Sequence, residues 1–180
     1  MLGALRALFI PKPPEAVEAT YIALVNASRN PFFYTELKVP DSIDGRFDMI
    51  VLHLFLLQHR LVGENQASFS QFLSEAFFND LDANLREMGV ADTGVSHRIK
   101  KMGKAYHGRL QAYTAALNDA TALRAALARN LYGTVEEGDV AALTRMANYV
   151  TKMTSQLASV ELATLTRGDY AWPDVAVLGV

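Results

Sequence analysis

Cysteine is absent from the 180 residues, which excludes disulfides, thiolate catalysis and cysteine-ligated zinc or iron–sulfur centres, and suits a reducing compartment. Histidine is scarce: only His53, His59, His97 and His107 occur. None stands four residues from another, and there is no Glu-x-x-His, so the pairings that build helical metal sites are missing. An excess of one charge is missing too. With 17 basic and 19 acidic side chains the net charge is −2, far from a nucleic-acid-binding polycation. Long apolar runs are lacking: the stretch Met49 to Leu57 contains His53 and falls well short of the roughly 20 residues that cross a bilayer.

Phosphate loops and nucleophile elbows are also wanting. Gly103-Lys104 is followed by Ala105 where a magnesium-binding hydroxyl belongs, and no glycine stands five residues before Gly103. Gly94-Val95-Ser96 has no closing glycine, and Ser96 reads better as a helix N-cap than as a nucleophile. His53, on an almost wholly apolar helix, reads as a satisfied core residue. These absences point to a protein that is not an enzyme and needs no cofactor or metal.

What is present is helical periodicity. Residues 1–13 form an N-terminal extension, apolar over Met1 to Ile10 but interrupted by Arg6 and stopped by Pro11-Lys12-Pro13-Pro14, too short for a signal peptide. It is expected to dock on its own domain or to touch a membrane. From Pro14 to Val180 we expect one all-α domain, a bundle of about six to seven helices with a buried central one. Val17, Tyr21, Leu24 and Val25 mark a first helix to Ser28. The Asn30-Pro31 step then predicts an extended aromatic loop from Phe32 to Pro40. Asp41 and Ser42 cap a helix to about Val62 with hardly any polar side, the central one. Phe69, Phe72, Leu73, Phe77, Leu81, Leu85 and Met88 follow, with Gly89 as stop. A long helix runs from about Val95 to Leu117, another from an Asn118 cap to a Gly133 stop, and a last one from a Thr134/Glu137 capping box through Val140, Leu143, Val150 and Leu157. An irregular tail ends in Tyr170, Trp172 and Pro173.

Two features exceed what such a bundle requires. The segment from His97 to Arg109 holds five permanent positive charges and no acid. Around a helix they divide: Arg98 and Arg109 fall at the margin of the apolar seam, where guanidinium groups pair with carboxylates such as Asp80, Asp82, Asp44 or Asp48. Lys100, Lys101 and Lys104 point away, placed for an anionic membrane surface, the ribosome or an acidic partner. Nothing there reads bases. The rings of Phe32, Phe33 and Tyr34 are the second feature, and with the three lysines they form the candidate partner-binding set. Asp80 falls inside an apolar sector and is expected to need an arginine: Arg98, Arg109 or Arg46.

These residues carry a resemblance. Phe33-Tyr34, Val39-Pro40-Asp41, Asp44-Gly45-Arg46-Phe47-Asp48, Leu52-His53 and Arg60-Leu61, followed by Asp82, Leu85-Arg86-Glu87-Met88-Gly89-Val90, Lys100-Lys101-Met102, Gly108-Arg109 and Tyr113, are similar in order and kind to the ubiquinol–cytochrome c chaperone family. Ala91 and His107 depart from that pattern. The resemblance implies a helical, non-enzymatic factor that handles newly made cytochrome b while respiratory complex III is assembled. It also implies a place at the cytoplasmic side of the bacterial inner membrane, or the matrix side in mitochondria, near the ribosome exit region and with a small partner subunit in the mitochondrial case. With no evident transit peptide the chain reads as bacterial. It transfers no catalytic residue. A general membrane-surface or ribosome-binding helical module is the alternative.

Overall fold

The computed structural model describes residues 15–62, 64, 66–133 and 140–180. Within them the spacing of three and four becomes α1 (Glu15–Ser28), α2 (Pro31–Thr35), α3 (Ile43–Leu61), α4 (Ala67–Glu87), α5 (Asp92–Ala116), α6 (Ala120–Leu131), α7 (Val140–Ser159), α8 (Leu162–Thr166) and a 3-10 turn at Val175–Leu178. No strand occurs among the described residues, so the all-α reading holds. The N-terminal extension, Pro14 and the Thr134/Glu137 capping box lie outside the described residues.

The central helix is α3, as its missing polar face predicts. Met49, Val51, Leu52, Leu54, Phe55, Leu56 and Leu57 are at most 2% exposed, and each such side chain contributes about 1.5–3 kcal/mol by leaving water. The helix starts where Ser42 Oγ accepts the Gly45 N–H at 3.1 Å. It is touched by α1, α4, α5, α6 and α7. From Phe47 to Gln58 the helix has no solvent side on which to put a polar group, so each polar side chain in that stretch must be answered from a neighbour.

Helix ends follow local chemistry, with three corrections. Asn30 does leave helical geometry, but Pro31 opens a new helix: Asn30 Oδ1 accepts the Phe32 N–H at 3.0 Å, and proline's fixed φ suits a first helical position. The first part of the expected extended loop is therefore the short helix α2, while Glu36 to Pro40 are irregular. Asp119, not Asn118, caps α6, its carboxylate accepting from the N–H groups of Thr121 and Ala122. Ser96 lies inside α5, which begins earlier, after Ala91. The end of α4 is as read: Gly89 takes φ +78°, with Gly89 N–H donating to Arg86 C=O and Val90 N–H to Leu85 C=O, the Schellman arrangement that a left-handed residue permits.

The tail is tied down rather than loose. Thr20 Oγ1 donates to Leu165 C=O at 3.2 Å, and at Gly168 a β-carbon would come within 2.8 Å of Ala19 Cβ, so α8 packs on α1 at glycine distance. Trp172 then lies 5.1 Å from the ring of His53. His53 itself is fully buried. Its Nδ1–H donates to Met49 C=O at 2.8 Å, and its Nε2 accepts from the Tyr149 hydroxyl at 2.7 Å. The pair joins α3 to α7, and burial pushes the imidazole down to about 4.

Because the folded value lies below the ordinary 6.5, the stability tied to neutral His53 is complete above about pH 6.5. It is lost as pH falls toward about 4. Tyr149→Phe strands the buried Nε2 without a donor and should lower unfolding free energy by about 1–3 kcal/mol in urea titrations near neutral pH. An unchanged midpoint would mean that the hydroxyl adds nothing to the packing of α3 on α7.

Candidate functional site

The cationic face of α5 does not stand alone. Its residues Arg98, Lys101 and Arg109 form one wall of a cleft of about 690 Å³. The first turns of α3 supply Ile43, Asp44, Phe47 and Asp48 opposite, and the end of α6 supplies Arg129 and Asn130. Helical geometry explains the wall: positions 98, 101, 105 and 109 fall on one side of a helix at 3.6 residues per turn. Four permanent cations thus face two carboxylates.

The one charge pair at the floor is Asp48 with Arg109, whose Nε lies 2.7 Å from Asp48 Oδ1, the side chains 9% and 20% exposed. The atoms are close yet out of line for a straight hydrogen bond, so charge rather than geometry holds them. The guanidinium also sits over the Phe47 ring, 5.5 Å from its centre. Burial dominates the carboxyl and pushes it up to about 7 despite the opposing pull of Arg109. The neighbouring Tyr113 hydroxyl, buried without a hydrogen-bond partner, is driven above the ordinary phenol value by burial first and by the Asp48 charge second.

The other sequence candidates separate. Arg98 lines the cleft and makes no ion pair with a described residue. Asp80 is not met by an arginine: it accepts from the Tyr21 hydroxyl at 2.9 Å and from Asn84 Nδ2 at 3.0 Å. It is half-buried at the α1 boundary, where a phenol and an amide satisfy it. Arg46 instead bridges Asp41 at 2.7 Å on the surface, and Asp82 binds Arg86 one turn on. Lys100 and Lys104 are exposed and outside the cleft, whereas Lys101, read as outward-facing with them, lines it. Phe33 is spent on the core, 1% exposed and edge-on to His53 and Tyr149, and presents no surface to a partner. Phe32 and Tyr34 are half-buried; Arg145 lies over the Phe32 ring and Tyr34 donates to Ser28 C=O. Arg129 and Asn130 escaped the sequence reading, because a lone arginine near a helix end looks like a dipole-facing charge.

No group of three or more histidine, cysteine or acidic residues among the described residues is arranged to hold a metal. No described helix is long and apolar enough to cross a membrane. The described residues thus form an all-helical domain with a charged cleft. The chain matches the family model described as Ubiquinol-cytochrome C chaperone over residues 35–172 and belongs to that family. It is similar to the crystal structure of the Cbp3 homolog from Brucella abortus, with 37% identity, 98% of each chain covered and a TM-score of 0.80. No curated protein sequence matches it.

The raised carboxyl of Asp48 carries a prediction with a definite sign. Its folded value lies above the ordinary 3.8, so its protonation favours the folded state at low pH, and that contribution is lost as pH rises from about 3.8 to about 7. Asp48→Asn removes the dependence. Between about pH 5 and about pH 8 the variant should gain on the parent by on the order of 2–3 kcal/mol in urea unfolding. A constant offset across that range would show that Arg109 holds Asp48 ionised throughout.

Proposed function

We propose that the chain is an assembly chaperone for ubiquinol–cytochrome c reductase, respiratory complex III, whose client is newly made cytochrome b. The observation that carries this reading is the family match together with a structural likeness that spans nearly both whole chains at 37% identity. Fold likeness alone would not support it. The chain works as a binding protein without cofactor or catalytic residue, at the cytoplasmic face of the bacterial inner membrane, close to anionic lipid and to the ribosome exit. Phe32 and Tyr34 offer half-buried apolar surface for a client segment. Lys100 and Lys104, with Lys101 at the lip of the cleft, hold the protein near an anionic surface by charge that salt screens over roughly 8–10 Å.

A photo-crosslinking residue at position 32 or 100, introduced in cells making complex III, should trap cytochrome b; crosslinks to other membrane proteins alone would leave a general membrane-surface module. Changing Lys100, Lys101 and Lys104 together to Gln should lower membrane-fraction recovery and complex III yield. Thermal unfolding should shift by no more than about 2 °C, because the three are exposed and make no ion pair with a described residue. Full complementation of a deletion strain by the triple variant would reduce these lysines to a solvated face.

A further inference from the structure

We propose that the cleft between α3, α5 and α6 is a binding site for a phosphate group, the headgroup phosphate of an anionic phospholipid, held by Arg98, Arg109, Arg129 and the side-chain amide of Asn130. The inference goes beyond the client reading and does not rest on it.

Several observations converge on this place. Arg98 and Arg129 are exposed and make no ion pair with a described residue, although both line the cleft. Arginines that line one concavity with no ion pair among the described residues repel one another, an arrangement that an anion relieves. Asn130 lines the same cleft, and its Nδ2 is buried with no hydrogen-bond partner among the described residues. A buried donor left unmade is costly, which marks it as a group awaiting an acceptor. The third wall is the start of α3, where the leading backbone N–H groups carry positive partial charge. Opposing contributions are present: Asp44 and Asp48 face the cleft, and the C-terminal carbonyls of α6 are turned toward it. Four cations outweigh the two carboxylates, and Asp48 is engaged with Arg109.

Size and lining favour a lipid over a bare ion. A phosphate fills a small part of about 690 Å³, and the rest is bounded by Ile43, Phe47, Leu85, Met102, Ala105 and Leu131. Ile43 is 65% exposed, an apolar side chain at the mouth where an acyl ester would leave a headgroup. Guanidinium forks match phosphate oxygens in a way that ammonium groups do not, which separates the arginine cleft from the salt-sensitive lysine face.

The test uses the full chain. Inorganic phosphate is titrated calorimetrically against chloride of equal ionic strength, and vesicles of phosphatidylcholine with phosphatidylglycerol are compared with phosphatidylcholine alone by cosedimentation. Vesicle binding that depends on phosphatidylglycerol and is competed by phosphate is expected. Arg98→Gln with Arg129→Gln should weaken both readouts at least about tenfold, the fold-change of losing on the order of 1.4 kcal/mol. Arg124→Gln with Arg167→Gln, an equal charge change outside the cleft, should leave phosphate affinity within about twofold, the scale of a surface substitution. Asp48→Asn, which frees Arg109, should tighten phosphate binding. Phosphate binding with the same arginine dependence but no vesicle binding would keep the phosphate site and assign it to a soluble phosphoester. Phosphate that binds no better than chloride, equal losses in the two arginine pairs, or binding of an acidic peptide in its place would overturn the proposal. A failure here leaves cytochrome b crosslinking untouched, so the two readings fall separately.

Discussion

The structure is arranged around a helix that, from Phe47 to Gln58, has no outside. With α3 surrounded by five other helices, its polar residues cannot be hydrated and must be met from the neighbours. Asp48, His53 and Gln58 are the polar or charged side chains buried along it. They are spaced by five, which turns each roughly 140° from the one before and sends the three to different faces. Each face finds its own reply. Arg109 on α5 meets Asp48. Tyr149 on α7 meets His53. On the third face Gln58 donates to Ser70 C=O and Ser74 Oγ on α4 and accepts from the Tyr106 hydroxyl on α5. A slip of α4, α5 or α7 along α3 would leave one of these groups unmade, at a cost of about 1–3 kcal/mol or more. Apolar burial supplies the stability of the bundle, and the three polar contacts specify its register.

That division explains how much could be read in advance. The lengths and apolar faces of the helices are legible because 3.6-residue periodicity is local, and the Gly89 stop because a left-handed cap needs glycine. The partner of a buried charge is not local. Asp80 sits in an apolar sector of an ideal wheel, yet the wheel cannot say that the facing helix is α1 and that Tyr21 is there. Asp48 stands among the four carboxylates that the sequence offers to the seam-margin arginines, and Arg109 does meet it, but nothing local selects it from the four. What was missing was the packing of α5 on the start of α3. Arg129 and Asn130 were illegible for the same reason, since their role depends on where α6 ends in space.

The charge distribution follows from the same packing. Four acids are spent on sequence neighbours: Asp41 on Arg46, Asp82 and Asp92 on Arg86, Glu64 on Arg60. Local pairs of this kind, mostly exposed, contribute little stability. Their effect is on what remains. With those acids engaged locally, Arg98, Lys101 and Arg129 make no ion pair with a described residue, so a chain with a net charge of −2 still presents a cationic concavity.

The two titrating groups of α3 then bear on how the domain responds to acid. Neutral His53 favours the folded state above about pH 6.5 and loses that hold toward about 4, whereas Asp48 favours it increasingly as pH falls from about 7. Over the shared interval the contributions run in opposite directions and are of similar size. A helix buried on every side that carried only one of them would tie the stability of the bundle to pH. Carrying both, with the carboxyl facing the cleft and the imidazole facing the core, sets two opposing pH dependences on one helix, and the one at the cleft floor is that of Asp48. At the cleft the group whose charge answers to pH is therefore Asp48, and it acts through its pairing with Arg109.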